Sequence, residues 1–498
     1  MSNFNTLFLK PLLERKDSIK DAICINKKVY NYAQLFDRVD HILSLLVCIP
    51  DKYVGIYAVD SVETYASIVA LWMCGKTYVP LNPNQPKERH NEVIDSVGLK
   101  HVLSSDSKYA SSIGAKTIYT GNCANSTYCR KTDLEIKNVS DDELAYILFT
   151  SGSTGKPKGV QISRENVAAF IESINDIGLD ITEEDRCLQP FDLTFDFSVS
   201  SYVIPLAKGA CFYTIPNKAV KFTYIVDLLD DYKLTVLQMV PSMVRNMLPY
   251  MEEIDISSVR YNILCGEALY TNTIQDWHKW NSEMVTYNMY GPTEDTVFCT
   301  YYLINKANIN CMHHSNNIVS IGTTFKNNRL CLLDDNGNLV ETANVEGELC
   351  LCGLQLTSGY WKNDKENIEK FFELDGKRYY RSGDLCFYDE RGNLMYVCRK
   401  DSQVKINGFR VELGEIESLY KEISGKFSIV IPYANKQNNT ELAIVIEGSE
   451  YDYTEHKKIL ASKLPKYELP VMWVFMKSFP LNLNGKIDRK KIINSITL

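Results

Sequence analysis

Short apolar runs alternate with longer stretches of helical hydrophobic spacing from Lys52 to about Pro241. The pattern predicts strands at residues 53–59, 77–81, 101–104, 144–149 and 234–239, and helices at residues 62–73 and 219–229. A strand at residues 261–265, followed by a helix after Tyr270, repeats the alternation. Alternating strands and helices are typical of an α/β fold with largely parallel sheets, in which ligands bind at the carboxyl ends of the strands.

The pattern changes near Ile321, where short strands separated by turn residues replace the alternation. Because of this change, the stretch is predicted to be a β-rich subdomain. After Asp401 the order becomes strand, helix, two strands, helix, strand and a short terminal helix, which predicts a small, separate α+β domain. The strands predicted in the β-rich stretch are residues 329–333, 347–352, 385–388 and 393–397.

Composition limits the classes of function. The chain has 498 residues, more than one compact core holds, so at least two domains are expected. Its net charge of −8 argues against a nucleic-acid-binding protein, which needs a basic face. No apolar run reaches the roughly 18 residues of a membrane span, and the charged N-terminus does not resemble a signal peptide. We therefore expect no nucleic-acid partner and no membrane insertion.

The fifteen cysteines include neither a CxxC pair nor a His/Cys cluster with zinc spacing. Their odd number and scattered placement are typical of reduced thiols, which favours a cytoplasmic protein. Cys350 and Cys352 alternate along a predicted strand, so we expect them to share a face and to serve in packing.

Residues 150–159, TSGSTGKPKG, follow a predicted strand and combine glycines, hydroxyls and two lysines. Small residues with free N–H groups beside positive charge suit a polyphosphate. The segment is not a Walker A loop, because Lys156 is followed by Pro157 instead of Ser or Thr. On composition alone, an ordinary surface loop remains the alternative.

Five stretches, in order along the chain, resemble the signatures of adenylate-forming enzymes, the family of acyl-CoA synthetases, luciferases and peptide-synthetase adenylation domains. The resemblance implies a large N-terminal adenylation domain, residues 1–398, of parallel-type sheets and helices plus the β-rich subdomain. It also implies a hinge at 399–402, with Asp401 at the hinge position, and a small mobile α+β C-terminal domain, 403–498. The stretches are residues 150–159, YGPTE at 290–294, YRSGDL at 380–385, RKDSQVKINGFRVE at 399–412 and NGKIDR at 484–489.

The reaction of this family, ATP-dependent formation of an acyl-adenylate followed by transfer to a thiol, implies roles for the matching residues. By resemblance, Lys486 is expected to bridge the substrate carboxylate and the α-phosphate, Thr293 to contact the α-phosphate, and Glu294 to help bind Mg²⁺. These three are the expected catalytic residues. The residues expected to contact the phosphates of ATP are Thr150, Ser151, Ser153, Thr154 and Lys158. Adenine is expected to contact Gly266, Glu267 and Tyr290, and the ribose is expected to contact Asp384 and Arg399.

The segment FDLTFDFSVSSY at 191–202 resembles the one in which amino-acid-activating members pair an aspartate, here Asp196, with the substrate ammonium group. Capping of the following helix is the alternative role for Asp196. Four further segments resemble those of stand-alone D-alanine–carrier protein ligases: QIS at 161–163, LCGE at 264–267, VIPY at 430–433 and GKIDRK at 485–490.

Projection of the family's substrate pocket onto the chain identifies its expected walls. Met289 and Phe298 are bulky, so we expect a small amino acid, with D-alanine as the leading candidate. A pocket discriminates a methylene by only ~1–3 kcal/mol, so glycine, serine and proline remain open. The expected pocket residues are Asp196, Phe197, Ser200, Gln238, Ile263, Cys265, Met289, Val297 and Phe298.

The thiol is expected on a phosphopantetheinylated carrier protein acting in trans, because no carrier segment follows the motif around Lys486. Cell-wall decoration and nonribosomal peptide synthesis both use this chemistry, and the sequence leaves the pathway open. Two other interpretations also remain. An acyl-CoA ligase would share the fold but would have no amine to pair with Asp196, and a non-catalytic binding or scaffold protein would keep the fold without turnover.

Overall fold

The computed structural model describes residues 3–109, 114–121, 134–150, 157–216, 219–400, 403–435, 439–480 and 489–496. The chain forms two compact units. The first comprises residues 1–83, 94–149 and 159–400, and the second comprises residues 84–93, 150–158 and 401–498.

The elements are numbered in chain order. The strands are β1 (Asp21–Ile25), β2 (Lys28–Asn31), β3 (Tyr53–Tyr57), β4 (Thr77–Leu81), β5 (His101–Ser104), β6 (Lys116–Tyr119), β7 (Leu144–Thr150), β8 (Lys158–Ser163), β9 (Arg186–Gln189), β10 (Cys211–Thr214), β11 (Val236–Met239), β12 (Tyr261–Leu264), β13 (Val285–Tyr290), β14 (Thr300–Ile304), β15 (His314–Ser315), β16 (Ile318–Val319), β17 (Thr323–Thr324), β18 (Asn328–Leu333), β19 (Gly347–Gly353), β20 (Phe371–Leu374), β21 (Lys377–Tyr388), β22 (Leu394–Arg399), β23 (Gln403–Ile406), β24 (Phe409–Glu412), β25 (Ser428–Ala434), β26 (Thr440–Glu447) and β27 (Met472–Met476).

The helices follow the same numbering. They are α1 (Lys10–Leu13), α2 (Tyr32–Leu46), α3 (Val62–Met73), α4 (Lys87–Val97), α5 (Arg164–Asp176), α6 (Phe197–Lys208), α7 (Lys221–Tyr232), α8 (Pro241–Met247), α9 (Thr271–His278), α10 (Asp364–Lys370), α11 (Leu413–Ser424), α12 (Thr454–Lys463) and α13 (Arg489–Ile496).

Two largely parallel sheets dominate the first unit. One has the order β17-β14-β13-β12-β11-β9-β10-β1-β2, and the other has the order β6-β5-β3-β4-β7-β8. The central strands of the larger sheet, from β1 to β13 in that order, pair in parallel. In the core, Trp72 of α3 packs on Tyr78 of β4 and on Tyr202 of α6, with ring centroids 5.7 and 6.3 Å apart. These aromatic contacts join α3 to the smaller sheet and to α6.

Polar side chains fix where the helices begin. Asn31 caps α2 and forms a capping box with Gln34, and Ser163 caps α5 and forms one with Asn166. Each pair satisfies two backbone N–H groups that the first helical turn leaves without partners. Helix α5 therefore starts directly at the end of β8.

The β-rich subdomain is an antiparallel sheet of β18, β19, β21, β20 and β22. Its longest strand, β21, differs from the sequence prediction, which placed only residues 385–388 in a strand. The polar letters RSGD interrupted the expected alternation, but β21 continues through them with Gly383 at φ +75° and a register shift near Leu385. A bulge of this kind keeps a strand paired while turning its side chains.

The second unit contains the predicted small α+β arrangement. Strands β25, β26 and β27 form one sheet, and β23 and β24 form a hairpin. Ile416 and Tyr420 of α11 pack with Ile444 of β26 in one buried cluster.

Candidate active site

Three parallel strands of the larger sheet end side by side. Met239 at the end of β11 pairs with Leu264 at the end of β12, and Leu264 pairs with Asn288 near the end of β13. Because ligands of α/β folds bind beyond the carboxyl ends of parallel strands, the segments that follow β12 and β13 form the candidate site.

The predicted adenine and ribose residues Tyr290, Asp384 and Arg399 lie together. The Tyr290 hydroxyl donates to Asp384 Oδ2 at 2.5 Å, and Arg399 Nη1 donates to Asp384 Oδ1 at 3.2 Å. Strands β21 and β22 set this geometry, because Asp384 and Arg399 are direct register partners. Burial and the Asp384 charge raise the pKa of Tyr290 well above its ordinary value, so the hydroxyl stays a donor. Each carboxylate oxygen keeps a second lone pair available for a ribose hydroxyl.

Gly266 and Glu267 form a tight turn after β12. Gly266 has φ +91°, a conformation that favours glycine. The Glu267 carboxylate accepts hydrogen bonds from the Ser242 N–H and Ser242 Oγ, both at 2.8 Å, and lies 3.4 Å from Arg245 Nη2. The carboxylate therefore binds the first turn of α8, and this contact fixes the turn that we expected at the edge of the adenine site.

Glu294 is completely buried in the short 3₁₀ turn that follows β13. Its Oε1 accepts a hydrogen bond from the hydroxyl of Tyr360 at 2.6 Å, and the Tyr380 hydroxyl lies 3.4 Å from that of Tyr360. The sequence analysis did not identify Tyr360. Its neighbours SGYW give no sign of a partner 66 residues away in the chain.

A second residue missed by the sequence analysis, Gln355, holds the end of the same turn. Its Nε2 donates to the carbonyl of Phe298 at 2.6 Å and lies 3.4 Å from that of Thr296, while Thr296 Oγ1 donates to the Gln355 carbonyl at 2.6 Å. These contacts stabilise positive φ at Thr296 (+51°) and Val297 (+72°), which is rare for β-branched residues. A Cβ on Gly291 would come within 2.5 Å of the Val297 carbonyl oxygen, so this position has no room for a side chain.

The predicted substrate pocket is built of buried side chains. Phe197 and Phe298 meet edge to face with centroids 5.1 Å apart. Ser200 donates a short hydrogen bond to Gln238 Oε1, and both side chains are inaccessible to solvent. The apolar members share one core cluster: Phe197, Ile263, Cys265, Met289, Val297 and Phe298.

Asp196 lies directly before α6. Its side chain is 8% exposed and makes no capping hydrogen bond to the helix. Capping, the alternative role considered for Asp196, is therefore not what the structure shows.

Residues 14–361 match the family model described as AMP-binding enzyme. The match covers well over half of the chain. The chain belongs to the AMP-binding enzyme family.

The relatives of this AMP-binding enzyme include several proteins named as synthases. Zwittermicin A synthase ZmaJ of Bacillus cereus is 32% identical over 97% of this chain and 93% of its own length. Gramicidin S synthase 1 of Brevibacillus brevis is 31% identical over 89% of this chain, but the chain spans only 40% of that protein. Tyrocidine synthase 3 of Brevibacillus parabrevis is 29% identical over 95% of this chain, which spans 7% of that much longer protein.

A solved structure shows the same fold. The adenylation domain AlmE of Vibrio cholerae, crystallised with glycyl-adenosine-5'-phosphate, has a TM-score of 0.85 at 24% identity, over 98% of this chain and 97% of AlmE. The predicted α/β class, with a large N-terminal part of mixed sheets and a small C-terminal part, is confirmed.

Several expected site residues of the enzyme fall outside the described parts of the chain. Thr150 ends β7 and the buried Lys158 begins β8, so the structure places both flanks of the expected phosphate loop. Ser151, Ser153, Thr154, the hinge residue Asp401 and Lys486 lie outside the described residues.

Glu294 is the residue expected to help bind Mg²⁺. Within the described residues, no group of three or more His, Cys, Asp or Glu side chains could hold a metal ion. A single carboxylate suits Mg²⁺, which usually keeps water and phosphate oxygens as its other ligands.

In the part of the chain that the structure describes, no helix is long and apolar enough to cross a membrane.

Proposed function

We propose that this AMP-binding enzyme activates a small amino acid as its aminoacyl-AMP and transfers it to the phosphopantetheine thiol of a carrier protein. D-alanine is the leading substrate. The observation that carries the amino-acid assignment is the largely buried Asp196 carboxylate, which does not cap α6 and lies in the segment expected to bind an ammonium group. The substrate ammonium group would add an oppositely charged partner for this largely buried carboxylate.

The nucleotide part of the proposal rests on Asp384. Tyr290 and Arg399 orient its carboxylate, and both ribose hydroxyls can be accepted at the remaining lone pairs. Glu294 would help hold Mg²⁺, which would neutralise phosphate charge when bound. Lys486 is proposed to bridge the substrate carboxylate and the α-phosphate, and Asp401 to be the hinge between adenylation and thiol transfer.

The first step joins the substrate carboxylate to the α-phosphorus of ATP, and pyrophosphate leaves. In the second step the carrier thiol attacks the acyl carbon, and AMP leaves. Positioning and charge stabilisation carry reactions of this type, so the residues proposed here act by orientation and hydrogen bonding. The carrier thiol is proposed as the acceptor because residues 264–267 and 485–490 resemble segments of stand-alone carrier protein ligases.

The preference for a small side chain rests on the pocket walls. Phe197 and Phe298 meet edge to face, and these two side chains and that of Met289 are at most 3% exposed. The choice of D-alanine among small amino acids rests on the resemblance of residues 264–267 and 485–490 to D-alanine–carrier protein ligases.

Replacement of Asp196 tests the assignment. In amino-acid-dependent ATP–pyrophosphate exchange, Asp196→Asn is expected to lose at least about 30-fold in rate, since losing one member of a buried charge pair costs roughly 2–5 kcal/mol. Asp192→Asn is the matched control, because Asp192 lies in the same segment and its carboxylate oxygen accepts from Thr194. Equal rates for wild type and Asp196→Asn, or exchange only with acids that lack an amine, would contradict the proposal.

A further inference from the structure

Two cysteines face each other across the β-rich sheet. In the antiparallel pairing of β18 with β19, Cys331 is the direct partner of Cys350. Opposite Cα atoms in such a pair are about 4.5 or 5.5 Å apart. Both separations fall within the roughly 4.4–6.8 Å that a disulfide spans, so the backbone already meets this requirement.

The two side chains point to the same face of the sheet. They pack there with Leu333, Cys352 and Tyr379 in a small apolar cluster. Both are free thiols; Cys350 is buried, whereas Cys331 is partly exposed. An oxidant from solvent therefore reaches the partly exposed Cys331 before it reaches the buried Cys350.

The thiols also interact electrostatically. A hydrogen bond from the Cys350 thiol lowers the pKa of Cys331, and the Arg381 guanidinium lowers it further. The same hydrogen bond, with burial, raises the pKa of Cys350. Arg381 belongs to this arrangement because it is the register partner of Cys350 in β21 and lies over the Phe372 ring at 4.6 Å. Thiolates are the reactive form of cysteine, so Cys331 is the nucleophile of the pair.

We propose that Cys331 and Cys350 are an oxidation site at which a hydroperoxide produces a reversible cross-strand disulfide. The Cys331 thiolate attacks the peroxide O–O bond and becomes a sulfenic acid, while the peroxide is reduced to an alcohol or to water. The Cys350 sulfur then attacks the Cys331 sulfur, the S–O bond breaks, and the thiol proton leaves with the hydroxide as water. A dithiol reductant reverses the reaction by exchange.

The site adjoins the segment that holds Asp384. The carbonyl of Leu349, next to Cys350, accepts from Ser382 Oγ at 2.7 Å, and Ser382 Oγ accepts from the Asp384 N–H at 3.1 Å. A disulfide at Cys350 would thus form in the strand that supports this segment.

The test exposes the full-length reduced protein to stoichiometric hydrogen peroxide, blocks remaining thiols and maps peptides by mass spectrometry without reduction. The expected product is one cross-linked pair of peptides containing Cys331 and Cys350, lighter by two hydrogen atoms and reversed by dithiothreitol. Cys350→Ser is expected to stop at a Cys331 sulfenic acid that dimedone traps. Cys352→Ser is the matched control, because Cys352 shares the strand and the face but is opposite Arg329, and it should form the cross-link at the wild-type rate.

Three results would overturn the proposal. One is a cross-link that joins either cysteine to a different residue. Another is oxidation of the exposed Cys48 in wild-type protein without any Cys331–Cys350 cross-link. The third is measured on wild-type protein alone: Cys331 is alkylated no faster than Cys48 at neutral pH.

Discussion

Both carboxylate oxygens of Asp384 have partners within the protein, Tyr290 on one and Arg399 on the other. The carboxylate is 6% exposed, so these two donors supply hydrogen bonds that water cannot reach it to provide. We infer that Tyr290 does more than present a ring to adenine, because its hydroxyl also orients the group proposed to bind ribose.

Removal of that hydroxyl separates the two roles. Tyr290→Phe keeps the ring and is expected to reduce kcat/KM for ATP about tenfold, since a hydrogen bond to a charged group contributes roughly 1.5–3 kcal/mol. The preference among amino acids should not change, as measured by pyrophosphate exchange. Tyr32→Phe is the control, because the Tyr32 hydroxyl donates to the Ala210 carbonyl in the core away from the site. Equal losses in both variants would show that only general stability had been affected.

Motif letters could predict Tyr290, Asp384 and Glu294, because each lies in a short contiguous signature. They could not predict Tyr360, which binds Glu294 from 66 positions away, or Gln355, which binds the Phe298 carbonyl from 57 positions away. Such partners come together only when β19 and the segment after it pack beside the end of β13. The roles of Tyr290, Asp384 and Glu294, like those of Ser151, Asp401 and Lys486, stay predictions from the sequence.

The turn after β13 is the element that shapes one wall of the proposed pocket. Thr296 and Val297 have unfavourable positive φ angles, and their neighbour Phe298 faces Phe197. Conformations of this kind cost on the order of 1–3 kcal/mol each and persist only where the surroundings enforce them. The hydrogen bonds of the buried Gln355 supply that enforcement.

Gln355→Leu should therefore both destabilise the protein and disturb the pocket. We expect a loss of about 2–4 kcal/mol in the free energy of unfolding, because the buried carbonyls lose their donor. The KM for the amino acid should rise in pyrophosphate exchange. Gln275→Leu, on α9, removes a weaker 3.4 Å contact to the Ile309 carbonyl and should leave the KM unchanged. A normal KM in Gln355→Leu would contradict the proposed role of the turn.

At the level of elements, hydrophobic patterning predicted α3, β4 and β5 with the bounds that the structure shows. Each of these elements is a run of apolar residues that is buried in the structure. Hydrophobic patterning did not predict the full length of β21, because polar residues that pair within a strand have the same sequence pattern as a loop. The start of α5 depends on the reciprocal capping of Ser163 and Asn166. The spacing of apolar residues does not predict such a cap.

Asp60, a partly buried residue without a role in the proposed function, lowers the stability of the whole molecule at neutral pH. Burial raises the pKa of Asp60 from 3.8 to about 6, and its Oδ2 has no hydrogen-bond partner among the described residues. The folded state thus retains a proton that the unfolded chain has lost between these pH values. Stability consequently falls as pH rises from about 4 to about 6 and stays reduced above that range.

Asp60→Asn should remove this penalty. We expect it to stabilise the protein at pH 8 by on the order of 2 kcal/mol and to have little effect near pH 4, measured by urea unfolding at both pH values. Asp255→Asn should have the opposite sign at pH 8, because Ser257 and Lys233 lower the pKa of Asp255 to about 2 and its charge is therefore stabilising. An effect of Asp60→Asn that is independent of pH would refute the linkage.

Activation of a small amino acid by this AMP-binding enzyme can be measured by ATP–pyrophosphate exchange. The assay uses purified wild-type protein and a panel of D- and L-amino acids, with short fatty acids in parallel. We expect exchange with small amino acids, strongest with D-alanine, and none with the fatty acids. Exchange with fatty acids alone, or ATP binding without exchange for any amino acid, would contradict this expectation.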